Sequence, residues 1–437
     1  MTLPIHAEDR LVAIIESDRE GPRIRYEGAW RAAADRFPIS LGMPLTASEH
    51  GPEVAVPWLM NLLPEGEPLR AMTHALGVAR DDVLGLIAET GRDLAGALTI
   101  GERRAGAAPD YRRVATPIDL ERIIAELPAK PFLVGDDGVS MSLAGAQEKL
   151  PVAWQDGAVA IPLNGAPSTH ILKPDNARLL GSVQNEALCM VLARRCGLGV
   201  APVITGVAGE RSYLLVDRYD RTFDGNVVRR LHQEDFCQAL GRPPVAKYEH
   251  NRSGVLGPSL PEMFALVRAY MTARDINRLL DAVIFNVAIG NVDSHAKNYS
   301  ILLTPRHTEL APLYDLMSGL DWANITQNHA QEIGGQQRGR HIYGRNWRRL
   351  AAACGLSRPG LIRRIDALTT RLLAELPAAE VEVASMPAGP GRMLPTFAAS
   401  IRERTRLVQA NAKRDDDEAE PTAAEPLDEH RTYGDAY

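Results

Sequence analysis

The sequence predicts an α+β protein of two lobes with a small additional α+β subdomain at its N-terminus. Three observations predict it. Residues 131–220 repeat apolar runs of strand length, broken by Gly, Pro and Asn and interrupted by one helical stretch. Residues 232–409 carry mainly helical periodicity. Residues 11–102 mix short β-like runs with helical segments.

In the first hundred residues RLVAIIES and RIRYEG read as strands, and VPWLMNLL and DDVLGLIAE as helices. They define an N-terminal subdomain over residues 1–104. The stretch GERRAGAAPDYRRVATP is rich in Gly, Ala, Pro and Arg without periodicity, so it reads as a linker or exposed connection. A sheet-and-helix lobe is expected over residues 130–235, with KLPVAW, GAVAIPL, THILK and RSYLLVDRY as strands. Its helix starts after Ser182, a residue suited to an N-cap, carries Leu188, Val191 and Leu192 at helical spacing, and ends at Gly197. A mainly helical lobe is expected over residues 236–411, from PEMFALVRAY and DINRLLDAVIFNVAIG to RRLAAACG and PGLIRRIDALTTRLLAEL; only YSILLTP and ELAPLYDL look extended there. Residues 412–437 are charged, poor in large apolar side chains and contain Pro421 and Pro426, so they are expected to be disordered. There is no internal repeat.

Composition narrows the class. With 45% hydrophobic residues and no apolar run long enough to span a bilayer, the chain reads as globular and without a membrane role. The start, MTLPIHAEDRLVAII, places acids where a signal peptide carries positive charge, which points to the cytoplasm. Cys189, Cys196, Cys237 and Cys354 form no CxxC pair, so neither a disulfide framework nor a cysteine zinc site is expected. The formal charge of −6 is misleading: residues 413–437 hold nine acids against three bases and account for all of it. The balanced remainder argues against a dedicated nucleic-acid binder.

The segment NVDSHAKN, residues 291–298, sets Asp293 and Asn298 in a D-x-x-x-x-N arrangement. That separation also divides the base from a metal-binding Asn in the catalytic loop of protein kinases. Taken alone, the residues are equally good turn formers. Their context is more telling, since an apolar helix stops at Gly290 and the strand YSILL follows, placing the loop rigidly at a cleft. Asp315, twenty-two residues after Asp293, stands where a second Mg²⁺ ligand is wanted, or it caps a helix starting at LMSGL. Upstream, Lys173 ends THILK and Glu186 follows thirteen residues later on the helix. Glu186 shares a stripe with Cys189, Met190 and Ala193, so it faces inward and needs a cation; an exposed Glu is the plainer alternative. A strand lysine paired to a helix glutamate is how kinases hold that lysine on the ATP phosphates. The run VSMSLAGAQEKL, residues 139–150, lies where a phosphate loop belongs, yet with Gly145 as its one glycine it matches neither the Walker nor the kinase glycine-rich pattern. His295 either contacts phosphate, orients Asp293 or is a structural histidine.

Together SLAGAQEK, THILKP, NEALCMVLARRCGL, LLVDRYDR, RLHQEDFCQALG, DSHAKN and LYDLMS resemble the HipA family of serine/threonine kinases, the toxins of bacterial type II toxin–antitoxin modules. NLLPEGE and GRDLAGAL resemble the N-terminal subdomain of that family, so only the acidic tail lies outside the resemblance. It implies a two-lobed, protein-kinase-like fold. It also implies a site: Ala144, Gly145, Ala146, Gln147, Glu148 and Lys149 as the phosphate loop, Lys173 on the phosphates, and Asp217, Arg218 and Tyr219 as the hinge beside adenine. Asp293 would be the catalytic base, His295 and Tyr314 further ATP contacts, and Asn298 and Asp315 the holders of Mg²⁺. Asp217 stands where a glutamate would be expected. Ser142 matches the serine that the kinase autophosphorylates; Ser140 is a second candidate, its hydroxyl pointing the same way if the segment is extended. The partners implied are a helix-turn-helix antitoxin of the HipB type, ATP with Mg²⁺, a protein substrate such as an aminoacyl-tRNA synthetase, and operator DNA only through the antitoxin complex. Arg338, Arg340, Arg345, Arg348 and Arg349 form a cluster suited to DNA, but a solvated helix face or a substrate-docking patch explains it more simply. The competing readings are a small-molecule or lipid kinase, because D-x-H-x-x-N also occurs in phosphoinositide kinases, and a catalytically silent co-repressor.

Overall fold

The computed structural model describes residues 1–102, 109–225 and 227–414. In the N-terminal subdomain β1 (Thr2–Ala7), β2 (Arg10–Asp18) and β3 (Gly21–Tyr26) form an antiparallel meander, flanked by β4 (Glu49–His50) and β5 (Leu98–Ile100) in the order β4-β3-β2-β1-β5. Helices α1 (Gly28–Ala32), α2 (Pro52–Met60), α3 (Gly66–Leu76) and α4 (Val83–Thr90) complete it. Local chemistry sets their ends. Pro52 occupies the first turn of α2, where a missing N–H costs nothing, and the Asp82 carboxylate caps α4 by accepting from the Gly85 N–H.

The second sheet is antiparallel throughout: β6 (Asp110–Arg113), β7 (Leu150–Gln155), β8 (Ala158–Leu163), β9 (His170–Pro174), β10 (Val203–Ala208) and β11 (Arg211–Asp217), in the order β10-β11-β9-β7-β8-β6. Helices α5 (Pro117–Glu126) and α6 (Ser182–Arg195) accompany it. Successive side chains of a strand point to opposite faces, and β11 uses both. Tyr213 and Leu215 join the core that contains Ile5, Trp58 and Leu98, while Leu214 and Val216 join the one around α6 and the helical lobe. The N-terminal subdomain therefore shares its core with one face of this sheet.

A hairpin, β12 (Arg221–Asp224) and β13 (Val227–Arg230), leads to β14 (Gln233–Asp235), which pairs with β15 (Ser300–Leu303) and then β16 (Thr308–Leu310). The helices of this lobe are α7 (Phe236–Ala239), α8 (Leu260–Tyr270), α9 (Ala273–Ile289), α10 (Gly344–Ala353), α11 (Arg358–Ala384) and α12 (Leu394–Ala412). Among the described residues no helix is long and apolar enough to cross a membrane. All four cysteines are free and buried.

Four local expectations change. The stretch read as a linker supplies β6, an edge strand on β8; its side chains are mostly exposed, so burial leaves no period in the sequence, and residues 103–108 lie outside the described residues. Ser182 is the first helical residue, not the cap. Gly181 holds the cap position with φ +77°, which favours glycine, and the Ser182 Oγ accepts from the Asn176 N–H at 3.2 Å. No helix begins after Asp315, whose own φ is +56°, so the capping alternative falls. In ELAPLYDL only the first residues are strand, and Leu313 makes an isolated bridge to Val200. Of the stretch expected to be disordered, residues 415–437 lie outside the described residues.

Candidate active site

Gly290 ends α9 in a left-handed turn and sends the chain into residues 291–298. This loop is held from within: the Asp293 N–H donates to Asn291 Oδ1 at 3.2 Å, and Asn298 Nδ2 donates to the Asp293 carbonyl at 2.8 Å. The Asp293 carboxylate accepts from the Tyr248 hydroxyl. Burial pushes its pKa up to about 7, with Lys247 and Tyr248 pulling back. His295 packs edge-on against Tyr248, ring centroids 5.2 Å apart, and burial together with the Lys247 charge drives its pKa well down. Its Nδ1 is buried with no hydrogen-bond partner among the described residues. A polar ligand in the adjoining cavity would relieve that cost.

Lys173 lines the same cavity. Its Nζ donates to Glu186 Oε1 and to Asp315 Oδ1, each at 2.6 Å, joining β9, α6 and the segment after β16. The two carboxylates hold the lysine charged although it is buried. Burial raises Glu186 to about 7, the Asp315 charge adds to this, and Lys173 opposes it. Asp315 moves the other way, down to about 2, because Lys173 and Lys149 outweigh its burial.

The phosphate-loop candidate closes over this pair. Gly145 has φ +105°, and a Cβ there would lie 2.7 Å from Lys149 Nζ, so the turn requires glycine. Lys149 Nζ donates to the Ala144 carbonyl at 2.7 Å, and burial beside Lys173 lowers its pKa to about 8. Ala144, Gly145, Ala146, Gln147 and Lys149 line the same cavity as Lys173, Asp217, Arg218, Tyr219, Asp293, His295, Asn298, Tyr314 and Asp315. Glu148 does not; it faces a neighbouring cavity with Arg211 and Asp175.

Ile171, Ala201, Val216 and Met317 give the cavity an apolar part of its lining, suited to a base. Tyr219 and Tyr314 stack beside it, centroids 5.7 Å apart, and the Tyr314 hydroxyl donates to the Lys297 carbonyl at 2.7 Å. Asp217 pairs with His170 at 2.9 Å. Arg218 lines the cavity, yet its guanidinium is committed to Asp220, to Ser168 Oγ and to the Leu94 carbonyl, in a buried network with Asp93, Arg221 and Arg230. Its guanidinium braces the hinge from within this network. Ser142 is fully buried, its Oγ donating to the Leu62 carbonyl at 2.9 Å, whereas the half-buried Ser140 donates to the Glu89 carbonyl. The two hydroxyls thus serve different carbonyls. Arg338 precedes the turn Gly339–His341, Arg340 lies in it, and Arg345, Arg348 and Arg349 lie on α10; none of the five lines the cavity.

Comparison with known proteins places this architecture. Residues 3–101 match the HipA N-terminal domain and residues 141–376 the HipA-like C-terminal domain. The chain is 37% identical to Y4mE of Sinorhizobium fredii over 414 residues, covering 92% of this chain and 97% of that protein. It is 30% identical to the serine/threonine-protein kinase toxin HipA of Shewanella oneidensis over 404 residues, covering 88% and 90%. The chain belongs to the HipA family. Its fold agrees: a chain from the complex of HipA, HipB and operator DNA of S. oneidensis MR-1 superposes with a TM-score of 0.83 at 26% identity, covering 94% of this chain and 98% of that one. The α+β, protein-kinase-like fold expected from the sequence is the fold observed.

The HipA framework also shows what the sequence reading missed. Glu65 and Asn61, both inside the HipA N-terminal match, reach the site: Glu65 pairs with Lys247 at 2.9 Å and with Lys297 at 3.0 Å, and Asn61 Oδ1 accepts from Lys297 Nζ at 2.8 Å. Tyr248, which holds Asp293, was also unforeseen. The available signal was Lys297 within NVDSHAKN, a lysine between buried elements that needs a carboxylate partner.

Proposed function

We propose that this HipA-family chain is an ATP-dependent serine/threonine-protein kinase that moves the γ-phosphoryl group of ATP to a hydroxyl of a protein. The observation that carries the reading is the convergence of Lys173, held from behind by Glu186, with Asp315, Asp293 and Asn298 around one cavity. Adenine fits the apolar part beside Val216 and Met317, and the phosphates fit the part where Lys149, Lys173 and the unpartnered His295 Nδ1 lie. Lys149 and Lys173 offset phosphate charge. Asp293, its pKa raised toward neutrality, takes the proton of the acceptor hydroxyl; the hydroxyl oxygen bonds to phosphorus as the bond to the β-phosphate oxygen breaks, and ADP leaves. Asn298 and Asp315 would supply hard oxygen ligands of the kind Mg²⁺ takes, and Mg²⁺ when bound would neutralise phosphate charge.

Ser142 is the autophosphorylation site in this reading, with Ser140 as the secondary one. The S. oneidensis relative is found with HipB and operator DNA, and a corresponding helix-turn-helix antitoxin is the partner proposed here, DNA being reached through it. The test is mass spectrometry of the purified chain and of a bacterial lysate after incubation with ATP and Mg²⁺. Phosphate on Ser or Thr with the wild type, and none with Asp293→Asn, is expected. Equal incorporation by both would refute the kinase reading, and exclusive modification of a small molecule would move it to the small-molecule class.

A further inference from the structure

The turn before α3 carries a group that touches both halves of the site. The Glu65 N–H donates to the Gly145 carbonyl at 3.0 Å, and Pro64 forms a bridge with Gly145, so this turn clamps the phosphate loop. The Glu65 carboxylate turns the other way, one oxygen 2.9 Å from Lys247 Nζ and the other 3.0 Å from Lys297 Nζ, with Lys297 only 3% exposed. Each lysine is coupled to the reacting centre. Lys297 sits between His295 and Asn298 and is further fixed by Asn61. Lys247 precedes Tyr248, the donor to Asp293, and its carbonyl accepts from the Ala296 N–H at 3.1 Å.

Two buried ammonium groups beside the loop need a counter-charge to stay where they are. Glu65 supplies it from a different subdomain. We infer that Glu65 is a positioning residue for phosphoryl transfer: it locks Lys247 and Lys297 in place, and its backbone ties closure of the phosphate loop to the geometry of the catalytic loop. This role rests on the kinase reading above. It gives the N-terminal subdomain a part in the chemistry, because the site is incomplete without residues 61–65. Glu65 does not touch the reacting atoms; it acts through Lys247, Tyr248 and Lys297.

The experiment uses the full chain and labelled ATP, with incorporation followed into the chain itself and into added casein. Glu65→Gln keeps the side-chain volume and removes the charge. The rate at saturating ATP is expected to fall on the order of 30-fold, as misorientation at a reacting centre does, with half-saturating ATP changed by less than about threefold. Glu65→Asp, which keeps the charge one methylene short, is expected to recover part of that rate and covers the case in which Glu65→Gln folds poorly. Lys297→Met combined with Glu65→Gln should cost little beyond either change alone, because the pair acts as a unit. An unchanged saturating rate in Glu65→Gln, or a loss expressed wholly in half-saturating ATP, would overturn the role. A wild type no more active than Asp293→Asn overturns the kinase reading and this role with it. An active wild type beside an equally active Glu65→Gln overturns this role alone.

Discussion

Lys173 on β9 and Glu186 on α6 meet through a 2.6 Å hydrogen bond between buried charges, across thirteen residues of sequence. Removing one partner of a buried pair leaves the other uncompensated, at about 3–5 kcal/mol. Asp315 remains beside Lys173, so Glu186→Ala is expected at the lower end, about 3 kcal/mol, read as a lower urea midpoint. Phosphoryl transfer should fall roughly 100-fold, since a lysine 1 Å out of place is a misplaced phosphate clamp. A variant with wild-type rate would show that the pair is purely structural.

Asp293 predicts the acid side of the pH profile. Burial raises its pKa to about 7, and the base acts only when deprotonated. Activity as kcat/KM should therefore drop about tenfold per pH unit below that value and level off above it. The Tyr248 hydroxyl favours the carboxylate form, so Tyr248→Phe should move the midpoint to higher pH. A midpoint that stays or falls would remove Tyr248 from this role.

Phosphate on Ser142 cannot fit the observed packing. The side chain is fully buried against the Leu62 carbonyl, and its N–H donates to the Asp93 carbonyl at 3.2 Å. A dianion there meets a carbonyl oxygen and no space, so the segment must leave. Amide exchange over residues 140–149 should quicken in the phosphorylated chain, and ATP binding should weaken by about tenfold or more. Ser142→Ala treated with ATP should show neither change; unaltered exchange in a chain phosphorylated at Ser142 would rule the switch out.

Asp93 tests the joint between subdomain and hinge. Its carboxylate lies 3.0 Å from Arg221 and from Arg230, and 3.5 Å from Arg218; Arg218 and Arg221 are buried and Arg230 is partly so. Asp93→Asn leaves three arginines against Asp220 alone and should cost about 3–5 kcal/mol. The shared core predicts one cooperative urea transition displaced as a whole.

Gly145→Ala places a methyl group against Lys149 and forces φ +105° on a residue that avoids it. Strain of about 1–3 kcal/mol in the loop should raise half-saturating ATP by roughly tenfold, with the melting temperature little changed. Unaltered ATP dependence would mean that the loop does not close on the nucleotide.

Parts of this site were legible because their signals are local. Asp293 and Asn298 stood in a loop between two apolar elements, and Glu186 stood on an otherwise apolar helical stripe, so each announced a constraint within a few residues of itself. Side-chain direction at the hinge was not local: Arg218 lies at the cavity but spends its guanidinium on Asp220, Ser168 and Leu94, and Glu148 turns away within the phosphate loop.

By itself the sequence determined the α+β class, helices α2, α4, α6, α8, α9, α10 and α11, about half of the strands, and the spacing of the proposed transfer residues, since periodicity, caps and turn residues act over short stretches, while the family was legible through its resemblance to HipA motifs. Tertiary structure alone decided that Glu65 reaches Lys247 and Lys297, that Tyr248 holds Asp293, and that the N-terminal subdomain shares one core with the sheet. Those are contacts between residues that can lie more than a hundred positions apart. A buried charge states in sequence that it needs a partner, but which partner it finds is set by how the layers pack.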